Sequence, residues 1–178
     1  MQLLKEREIS ESSCLPNYQT VSDSLFRGGQ PSEEGFSLLK DRGIKTVINL
    51  REEASSIKAE AAICRSLGLD YVSIPLRPFD IPGDDKVDAF LNLCNLEDHK
   101  PIFVHCLHGM DRTGLMIGLY RMQSCDWSYE KTFEEMLKFG FHPAFKNLTS
   151  VLEKYALAWG KSSEKTCQEE NSQESRLP

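Results

Sequence analysis

The stretch that decides the fold is an apolar run followed by a short loop, Pro101-Ile102-Phe103-Val104-His105-Cys106-Leu107-His108-Gly109-Met110-Asp111-Arg112-Thr113-Gly114. The apolar run predicts a buried strand, and residues 115–122 are helix-like. A tight loop in this position directs successive N–H groups into one concavity, where the helix N-terminus adds the positive end of its dipole. The sequence therefore predicts a strand, a loop and a helix that together can bind a tetrahedral oxyanion.

Two side chains of this loop carry chemistry. The same field would stabilise a thiolate on Cys106 at the base of the loop, and the guanidinium of Arg112 can bind two phosphate oxygens at once. A lone intracellular cysteine is most often an inert buried residue, but the loop and Arg112 favour a nucleophile. We interpret His105 as a residue that orients the loop by hydrogen bonding, because an existing thiolate needs no general base.

The pattern His-Cys-x5-Arg-Thr-Gly resembles the active-site loop of the cysteine-dependent protein tyrosine and dual-specificity phosphatases. The resemblance implies that Cys106 attacks phosphorus, that Arg112 binds the phosphoryl oxygens and that Thr113 helps the thiolate leave. It also implies a phosphate-binding loop made of Leu107, His108, Gly109, Met110, Asp111 and Arg112. Residues 27–31, 46–51 and 140–143 resemble small bacterial members and the compact atypical dual-specificity group, so the similarity covers about residues 21–159.

The composition fits one soluble globular domain. The chain has 178 residues, of which 40% are hydrophobic and 27% charged, and no stretch approaches the roughly 20 apolar residues of a membrane helix. The net charge of −6 argues against general binding to nucleic acid or to an anionic membrane. Charge appears too early at the N-terminus for a secretory signal, so a chain that truly starts at Met1 is expected to be cytoplasmic. We favour a monomer, although the oligomeric state stays open.

The cysteines give no sign of a metal site. The six are Cys14, Cys64, Cys94, Cys106, Cys125 and Cys167. They form no Cys-x-x-Cys pair and no Cys/His spacing of a zinc site, so no metal or other cofactor is predicted. Cys64, Cys94 and Cys125 fit small apolar residues on helix faces. Alternatively, Cys64 or Cys125 would resolve a sulfenic acid on Cys106, since an accessible thiolate is prone to oxidation.

Strand and helix patterns alternate along the chain. Strand patterns lie at residues 23–27, 45–50, 71–74 and 102–105, with helices between them. Three helices follow the last strand: one at residues 115–124, one capped by Ser128 with Phe133, Met136 and Leu137 facing inward, and one starting at Pro143. The alternation predicts an α/β fold with a central, mainly parallel sheet of four to five strands flanked by helices, and the resemblance implies a dual-specificity-phosphatase-like arrangement.

The domain organisation follows from periodicity and polarity. Residues 1–20 carry little periodicity and are predicted to form a loosely ordered N-terminal lead-in. Residues 21–160 form the predicted catalytic domain. The polar residues 161–178 are predicted to be a disordered tail.

The proton for the leaving group must come from another loop. Ligands of parallel sheets bind beyond the C-terminal strand ends, so the loop after residue 51, residues 75–85 and residues 106–112 should converge. A carboxylic acid is the usual donor in the superfamily that the chain resembles, and Asp80, Asp84 and Asp85 are the candidates. Asp84 and Asp85 also fit helix capping before Val87. Asp80 has no such local role, so we favour Asp80 with Asp84 in reserve; a solvated loop aspartate is the other interpretation.

The substrate class stays open between two kinds of phosphate ester. Asp111 beside Arg112 fits either a rim or capping carboxylate, or an acceptor for the hydroxyl groups of a polyol, and Asp-Arg-Thr also resembles loops of phosphoinositide and inositol phosphate phosphatases. Arg51 and Arg77 are candidate rim cations, unless they only pair with loop carboxylates. We favour a phosphorylated protein over an inositol phosphate or phosphoinositide. A rhodanese-type sulfurtransferase fits the Arg-Thr-Gly ending less well, and a silent phosphoprotein-binding module would be expected to lack Cys106 or Arg112.

Overall fold

The computed structural model describes residues 12–161 and contains a five-stranded sheet. The strands are β1 (Gln19–Ser22), β2 (Leu25–Gly28), β3 (Thr46–Asn49), β4 (Asp70–Ser73) and β5 (Ile102–His105). Their order across the sheet is β1-β2-β5-β3-β4, with β1 antiparallel to β2 and all other pairs parallel. The predicted α/β fold with a mainly parallel sheet is confirmed.

Helices cover both faces of this sheet. They are α1 (Glu33–Asp41), α2 (Ala54–Leu67), α3 (Asp84–Asn95), α4 (Asp111–Ser124), α5 (Tyr129–Lys138) and α6 (Lys146–Ala158), with a 3-10 turn at Glu97–His99. Along β5, Ile102 and Val104 enter the larger core formed with α3 to α6, while Phe103 enters the smaller core formed with α1 and α2. Because side chains alternate along a strand, a strand that is covered on both faces must be apolar throughout.

Side-chain caps begin two helices, and the one at Ser128 is where the sequence predicts it. The Ser32 hydroxyl accepts a hydrogen bond from the Gly35 N–H at 3.2 Å, and the Ser128 hydroxyl accepts one from the Lys131 N–H at 3.3 Å. Each hydroxyl satisfies one amide that the helix leaves unpaired. The α2 helix ends at Gly68, whose φ of 67° lies in the left-handed region that favours glycine.

The N-terminal boundary and two helix details differ from the sequence-based expectations. Residues 15–20 are not a loose lead-in, because Leu15 is buried in the smaller core and β1 starts at Gln19. Leu137 is 43% exposed, so on α5 the core contact comes from Met136 and the partly buried Phe133 instead. The last helix starts at Lys146 rather than at Pro143. Residues 1–11 and 162–178, including Cys167 and nearly all of the predicted tail, lie outside the described residues.

Candidate active site

The loop that carries the nucleophile leaves the central strand of the sheet. Cys106 follows β5 directly and is 3% exposed, and α4 begins at Asp111. Helix α4 therefore starts earlier than the predicted residue 115, and its first turn includes Arg112 and Thr113. The N–H groups of a first turn have no partner inside the helix and are available to an anion. The predicted strand, loop and helix are thus present with Cys106 at the base.

Arg112 joins three loops at this edge of the sheet. Its Nη1 donates to Glu52 Oε2 at 2.6 Å and to the Leu76 carbonyl at 3.1 Å, and its side chain is 10% exposed. Glu52 lies in the loop after β3, and Leu76 lies in the loop after β4. The predicted convergence of the loops after residue 51, at residues 75–85 and at residues 106–112 is confirmed by these contacts.

A cavity of about 210 Å³ opens beside the loop. Its lining is mostly apolar and consists of Pro78, Leu107, His108, Asp111, Arg112, Phe145 and Leu148. The Phe79 ring lies 6.0 Å from the Phe145 ring, centroid to centroid, and Phe79 is 80% exposed. Ile81, in the same loop as Phe79, is 69% exposed. One guanidinium therefore faces a pocket whose surroundings are apolar rather than basic.

The candidate acids are placed differently from one another. The Asp80 side chain is 62% exposed, with Oδ2 3.5 Å from Arg77 Nη1, and the Asp80 carbonyl accepts a hydrogen bond from Asn147 Nδ2 at 2.8 Å. Asp80 lines a neighbouring cavity formed by residues 75–86, and not the cavity beside Arg112.

The other two aspartates lie in the first turn of α3. Asp84 accepts hydrogen bonds from Lys154 Nζ and from the Tyr155 hydroxyl, the latter at 2.9 Å, and these bonds lower the pKa of the Asp84 carboxyl. Asp85 pairs with Lys86. Asp84 therefore links α3 to α6, whereas the carboxylates of Asp80 and Asp85 each make one ion pair with a neighbour in their own segment.

The two candidate rim cations both face carboxylates. Arg51 donates to Glu53 Oε2 at 3.0 Å and to Gln30 Oε1 at 2.8 Å, and its side chain is 15% exposed. Arg77 is 75% exposed and lies near Asp80. Arg51 is connected to the phosphate-binding loop through Gln30, whose main-chain N–H donates to the Leu107 carbonyl. Arg77 lies in the loop between β4 and α3.

Asp111 and Thr113 occupy distinct positions in the first turn of α4. The Asp111 carboxylate accepts a hydrogen bond from the His142 main-chain N–H at 2.8 Å and lies 3.0 Å from His142 Nδ1. It therefore holds the turn that precedes α6, and it also lines the cavity. The Thr113 hydroxyl is buried and, within residues 12–161, has no hydrogen-bond partner. Leu107 and His108 are exposed, Gly109 is buried and Met110 is half-buried.

Comparison with known proteins places the chain in a family. Residues 8–153 match the family model described as "DSP-PTPase phosphatase fused to NAD+ Kinase". The chain belongs to the DSP-PTPase phosphatase family. The resemblance seen in the Cys-x5-Arg loop is confirmed by this match.

The relatives of this DSP-PTPase chain include an inositol diphosphatase and a dual specificity protein phosphatase. The chain is 31% identical over 129 residues to inositol diphosphatase DSP3 of Arabidopsis thaliana, covering 68% of this chain and 61% of that protein. It is 27% identical over 125 residues to dual specificity protein phosphatase TpbA of Pseudomonas aeruginosa strain UCBPP-PA14, covering 70% of this chain and 55% of that protein. The chain thus spans about three fifths of the length of these curated relatives.

Solved structures share the fold of this DSP-PTPase domain. The crystal structure of a DUF442 protein from Shewanella putrefaciens CN-32 superposes with a TM-score of 0.71 at 25% identity, covering 84% of this chain and 95% of that chain. Within residues 12–161, no group of three or more His, Cys, Asp or Glu side chains is placed to bind a metal ion. No helix in that range has both the length and the hydrophobicity needed to cross a bilayer.

A buried polar network lies behind the DSP-PTPase loop. His105 Nε2 lies 3.1 Å from Glu60 Oε2, close enough for an ion pair but off the line of a well-formed hydrogen bond. Glu60 also accepts hydrogen bonds from Asn49 Nδ2 at 2.9 Å and from Ser56 Oγ at 3.0 Å. His105 Nδ1 lies 3.3 Å from the Cys106 carbonyl. These contacts connect α2 to the first residue of the loop, as expected for an orienting His105.

Neither of the two candidate resolving cysteines, Cys64 and Cys125, lies next to Cys106. Cys125 follows α4, whose 14 residues span about 20 Å, and α4 begins at the loop. Cys64 lies in the smaller core, whereas Cys106 lies in the larger one, and burial raises the pKa of the Cys64 thiol to about 12. A disulfide needs Cα atoms within about 7 Å of each other, so neither thiol is placed to resolve oxidised Cys106.

Sequence reasoning missed several residues that contact the loop. Glu52 pairs with Arg112, and Glu60 pairs with His105. Arg27 donates from Nη2 to the Gly109 carbonyl at 2.7 Å, and Asn17 Nδ2 lies 3.4 Å from the same oxygen. The sequence does not distinguish a charged residue that faces solvent from one that is buried. For Arg27 the resemblance of residues 27–31 to other family members was a signal that could have found it.

Proposed function

We propose that this chain hydrolyses phosphate monoesters by transferring the phosphoryl group to Cys106. One observation carries the proposal: a buried cysteine at a strand end precedes a helix whose first turn contains a nearly buried Arg112. The free amides of that turn and the guanidinium together match the charge and shape of a phosphoryl group. Membership of the DSP-PTPase family supports the same chemistry.

In the first step, the Cys106 thiolate attacks phosphorus in line with the leaving oxygen. The S–P bond forms as the P–O bond to the leaving group breaks, and Asp80 gives its proton to that oxygen. Arg112 and the loop amides bind the equatorial oxygens, where charge is held in the transition state. To take this role the Asp80 carboxylate must leave Arg77 and turn toward the cavity, a rearrangement often seen when a substrate completes an active site.

In the second step, water hydrolyses the cysteinyl phosphate. The Asp80 carboxylate removes a proton from the water, the new P–O bond forms, and the S–P bond breaks to release inorganic phosphate. Thr113, whose buried hydroxyl has no hydrogen-bond partner in the described part of the chain, is available to stabilise the leaving thiolate. Neither step needs a metal ion or an organic cofactor.

An aromatic phosphate ester on a protein is the substrate class that the cavity supports best. The lining residues Pro78, Phe145 and Leu148 and the neighbouring Phe79 offer apolar contact to a leaving group. Arg51 and Arg77 are paired with carboxylates rather than directed at the cavity. A phenyl ring needs apolar walls, whereas a ring that carries several phosphates needs several free cations.

An inositol phosphate or diphosphate is the second candidate. The observation that favours it is the 31% identity to a protein named inositol diphosphatase. In that case Arg77, which is 75% exposed, would leave Asp80 to bind a second phosphate. Arg77→Ala would then reduce kcat/KM on inositol hexakisphosphate much more than on a phosphotyrosine peptide.

Replacement of Cys106 tests the nucleophile. Cys106→Ser is expected to abolish hydrolysis of an aryl phosphate, while acid-quenched wild-type protein should contain a phosphorylated Cys106 peptide in mass spectrometry. Cys125→Ser is the matched control, because Cys125 lies at the far end of α4, and it should keep wild-type activity. Undiminished turnover by Cys106→Ser would reject the proposal, as would thiosulfate-to-cyanide sulfur transfer without phosphate release.

The substrate class is tested with Phe79. Phe79→Ala should lower kcat/KM on a phosphotyrosine peptide about fivefold, since one aromatic contact contributes roughly 1 kcal/mol. Leu157→Ala, another exposed apolar residue but on α6, should leave it unchanged. Higher kcat/KM on inositol hexakisphosphate or a phosphoinositide than on phosphotyrosine and phosphothreonine peptides would overturn the choice of a protein substrate.

A further inference from the structure

Main-chain carbonyl groups of the phosphate-binding loop accept hydrogen bonds from residues that do not line the cavity. The Leu107 carbonyl accepts a hydrogen bond from the Gln30 main-chain N–H at 3.0 Å. The Gly109 carbonyl accepts one from Arg27 Nη2 at 2.7 Å. Because a trans peptide is planar, its N–H points away from its C=O. Holding these two carbonyls outward therefore directs the N–H groups of His108 and Met110 to the opposite side.

Asn17 is a third hydrogen-bond donor to the carbonyl groups of the same loop. Its Nδ2 lies 3.4 Å from the Gly109 carbonyl and 3.5 Å from the His108 carbonyl, and it also reaches the Phe139 carbonyl at 3.4 Å. Asn17 lies in the turn that precedes β1 and has a φ of 52°, in the left-handed region. The main-chain N–H of the next residue, Gly109, is thereby also directed away from Asn17.

Close backbone packing makes this hold possible. Gly109 has a φ of 73°, and a Cβ on it would lie 2.3 Å from the Gly28 carbonyl carbon. A Cβ on Gly29 would lie 3.0 Å from the Leu107 oxygen. Glycine at both positions lets the end of β2 lie directly against the loop, so that the donors of residues 27–30 reach its carbonyls.

Arg27 is an unusual residue to find in this position. It is 1% exposed, and its guanidinium lies 4.7 Å from the centre of the Phe139 ring. Burial lowers the pKa of Arg27 to about 10, so the side chain stays charged at neutral pH. Within the described residues, Nε and Nη1 have no hydrogen-bond partner. Unpaired buried donors cost stability, and such local costs are expected at functional sites.

We propose that Arg27 is a positioning residue, which with Asn17 keeps the loop amides directed at the phosphoryl group. Arg27 acts through the Gly109 carbonyl and does not itself contact the substrate. The inference rests on the proposed function, because it assigns Arg27 to the same anion site. Loss of Arg27 would allow the peptide between Gly109 and Met110 to rotate and turn a carbonyl oxygen toward the phosphate.

Anion binding without turnover tests this inference. In a Cys106→Ser background, calorimetric titration with inorganic phosphate and with tungstate should show about tenfold weaker binding after Arg27→Met, the equivalent of about one charge-assisted hydrogen bond. Arg27→Lys keeps the charge and one donor, so its affinity should fall between the two. Asn17→Gly keeps the left-handed backbone but loses the amide, and should weaken binding about threefold. Asn17→Gly also serves as the test if Arg27→Met does not fold.

Arg121→Met is the matched control. Arg121 is also largely buried, donates to Glu135 at 2.7 Å and stacks 4.3 Å from the Trp127 ring centre, but it lies at the other end of α4. Its replacement should change anion affinity less than about twofold at a comparable loss of thermal stability. The inference is overturned if folded Arg27→Met binds both anions as tightly as its parent, or if Arg121→Met weakens them equally. If Arg27→Met weakens anion binding as expected but wild-type protein hydrolyses no ester, the proposed function fails and the positioning role stands.

Discussion

Buried charge is concentrated around one sulfur atom. Arg27 is 1% exposed and donates a hydrogen bond to the loop that follows Cys106. Arg112 is 8% exposed and lies in the first turn of the helix after that loop. Their partners differ, since Arg112 pairs with the carboxylate of Glu52 whereas Arg27 pairs with a main-chain carbonyl. Arg112 can exchange Glu52 for a phosphate, because both are oxyanions. Among residues 12–161, Arg27 forms no ion pair that a phosphate could displace, so it is suited to a fixed role.

The assignment of Asp80 as the general acid predicts a loss of activity when this one residue is replaced. Asp80→Asn should lower kcat about 10²- to 10⁴-fold on an alkyl phosphate or phosphotyrosine peptide, because the poor leaving group then departs without a proton. The loss should be much smaller on a substrate whose leaving group is already acidic, such as p-nitrophenyl phosphate. Steady-state kinetics on both substrates measures the difference.

Asp84→Asn and Asp85→Asn are the comparison variants for this prediction. Asp84 is tied to Lys154 and Tyr155, and Asp85 pairs with Lys86. Both variants should keep wild-type dependence on the leaving group. If Asp84→Asn loses far more activity on the poor leaving group than on p-nitrophenyl phosphate and Asp80→Asn does not, the assignment moves from Asp80 to Asp84.

Two helices on one side of the sheet are joined by a carboxylate. Asp84 in the first turn of α3 accepts hydrogen bonds from Lys154 and Tyr155 of α6. The same position also complements the dipole of α3, whose N-terminus is its positive end. Since α3 follows the loop with Asp80 and α6 follows Phe145, this link fixes the relative position of two elements that border the cavity.

The α3–α6 link predicts an acid-sensitive contribution to stability. The hydrogen bonds hold the Asp84 pKa below its usual 3.8 in the folded state. A carboxyl with a depressed pKa stabilises the fold at pH values above 3.8 and loses that contribution as the pH falls through the folded-state pKa. Asp84→Asn should therefore be less stable than wild type at neutral pH, and the difference should shrink below about pH 4. Urea unfolding at several pH values measures it; a gap that widens in acid would contradict the link.

The sheet divides the molecule into two cores, and a polar network lies on the face of the sheet that α2 covers. Glu60 on α2 is 3% exposed and reaches His105 of β5 and Asn49 of β3. Asn49 Oδ1 in turn accepts a hydrogen bond from the Arg51 N–H at 2.7 Å. The network thus joins the start of the loop after β3 to the start of the phosphate loop, and both loops contribute to the site.

Removal of Glu60 is expected to destabilise the whole domain. Glu60→Ala removes the buried acceptor of the Asn49 amide and the carboxylate beside His105, and should lower the free energy of unfolding by about 2–4 kcal/mol. Glu97→Ala is the control, because the exposed pair of Glu97 with Lys100 is worth at most about 1 kcal/mol. Urea denaturation compares the two, and equal effects would show that the buried network is not what stabilises the domain.

The elements and the nucleophile loop were predictable because their signals are local. Strand β5, Cys106, Arg112 and the first turn of α4 are consecutive in the chain, and the Ser32 and Ser128 caps depend on residues only three apart. The error at Leu137 has the opposite origin. Both Met136 and Leu137 were predicted to face inward, but only Met136 is buried, because which side of α5 meets the core is set by its packing against α4, a contact between separate elements.

The sequence by itself determined the α/β class, the loop with Cys106 and Arg112, and the family, because each depends on neighbouring residues or on a short pattern. Only the tertiary structure decided that Glu52 meets Arg112, 60 residues away, and that Arg27 meets Gly109, 82 residues away. Strand order sets these pairings: β5 lies between β2 and β3, so the ends of both neighbours meet the phosphate loop. A spacing of 60 or 82 residues leaves no periodic trace in a sequence, whereas a parallel sheet brings such residues to one edge.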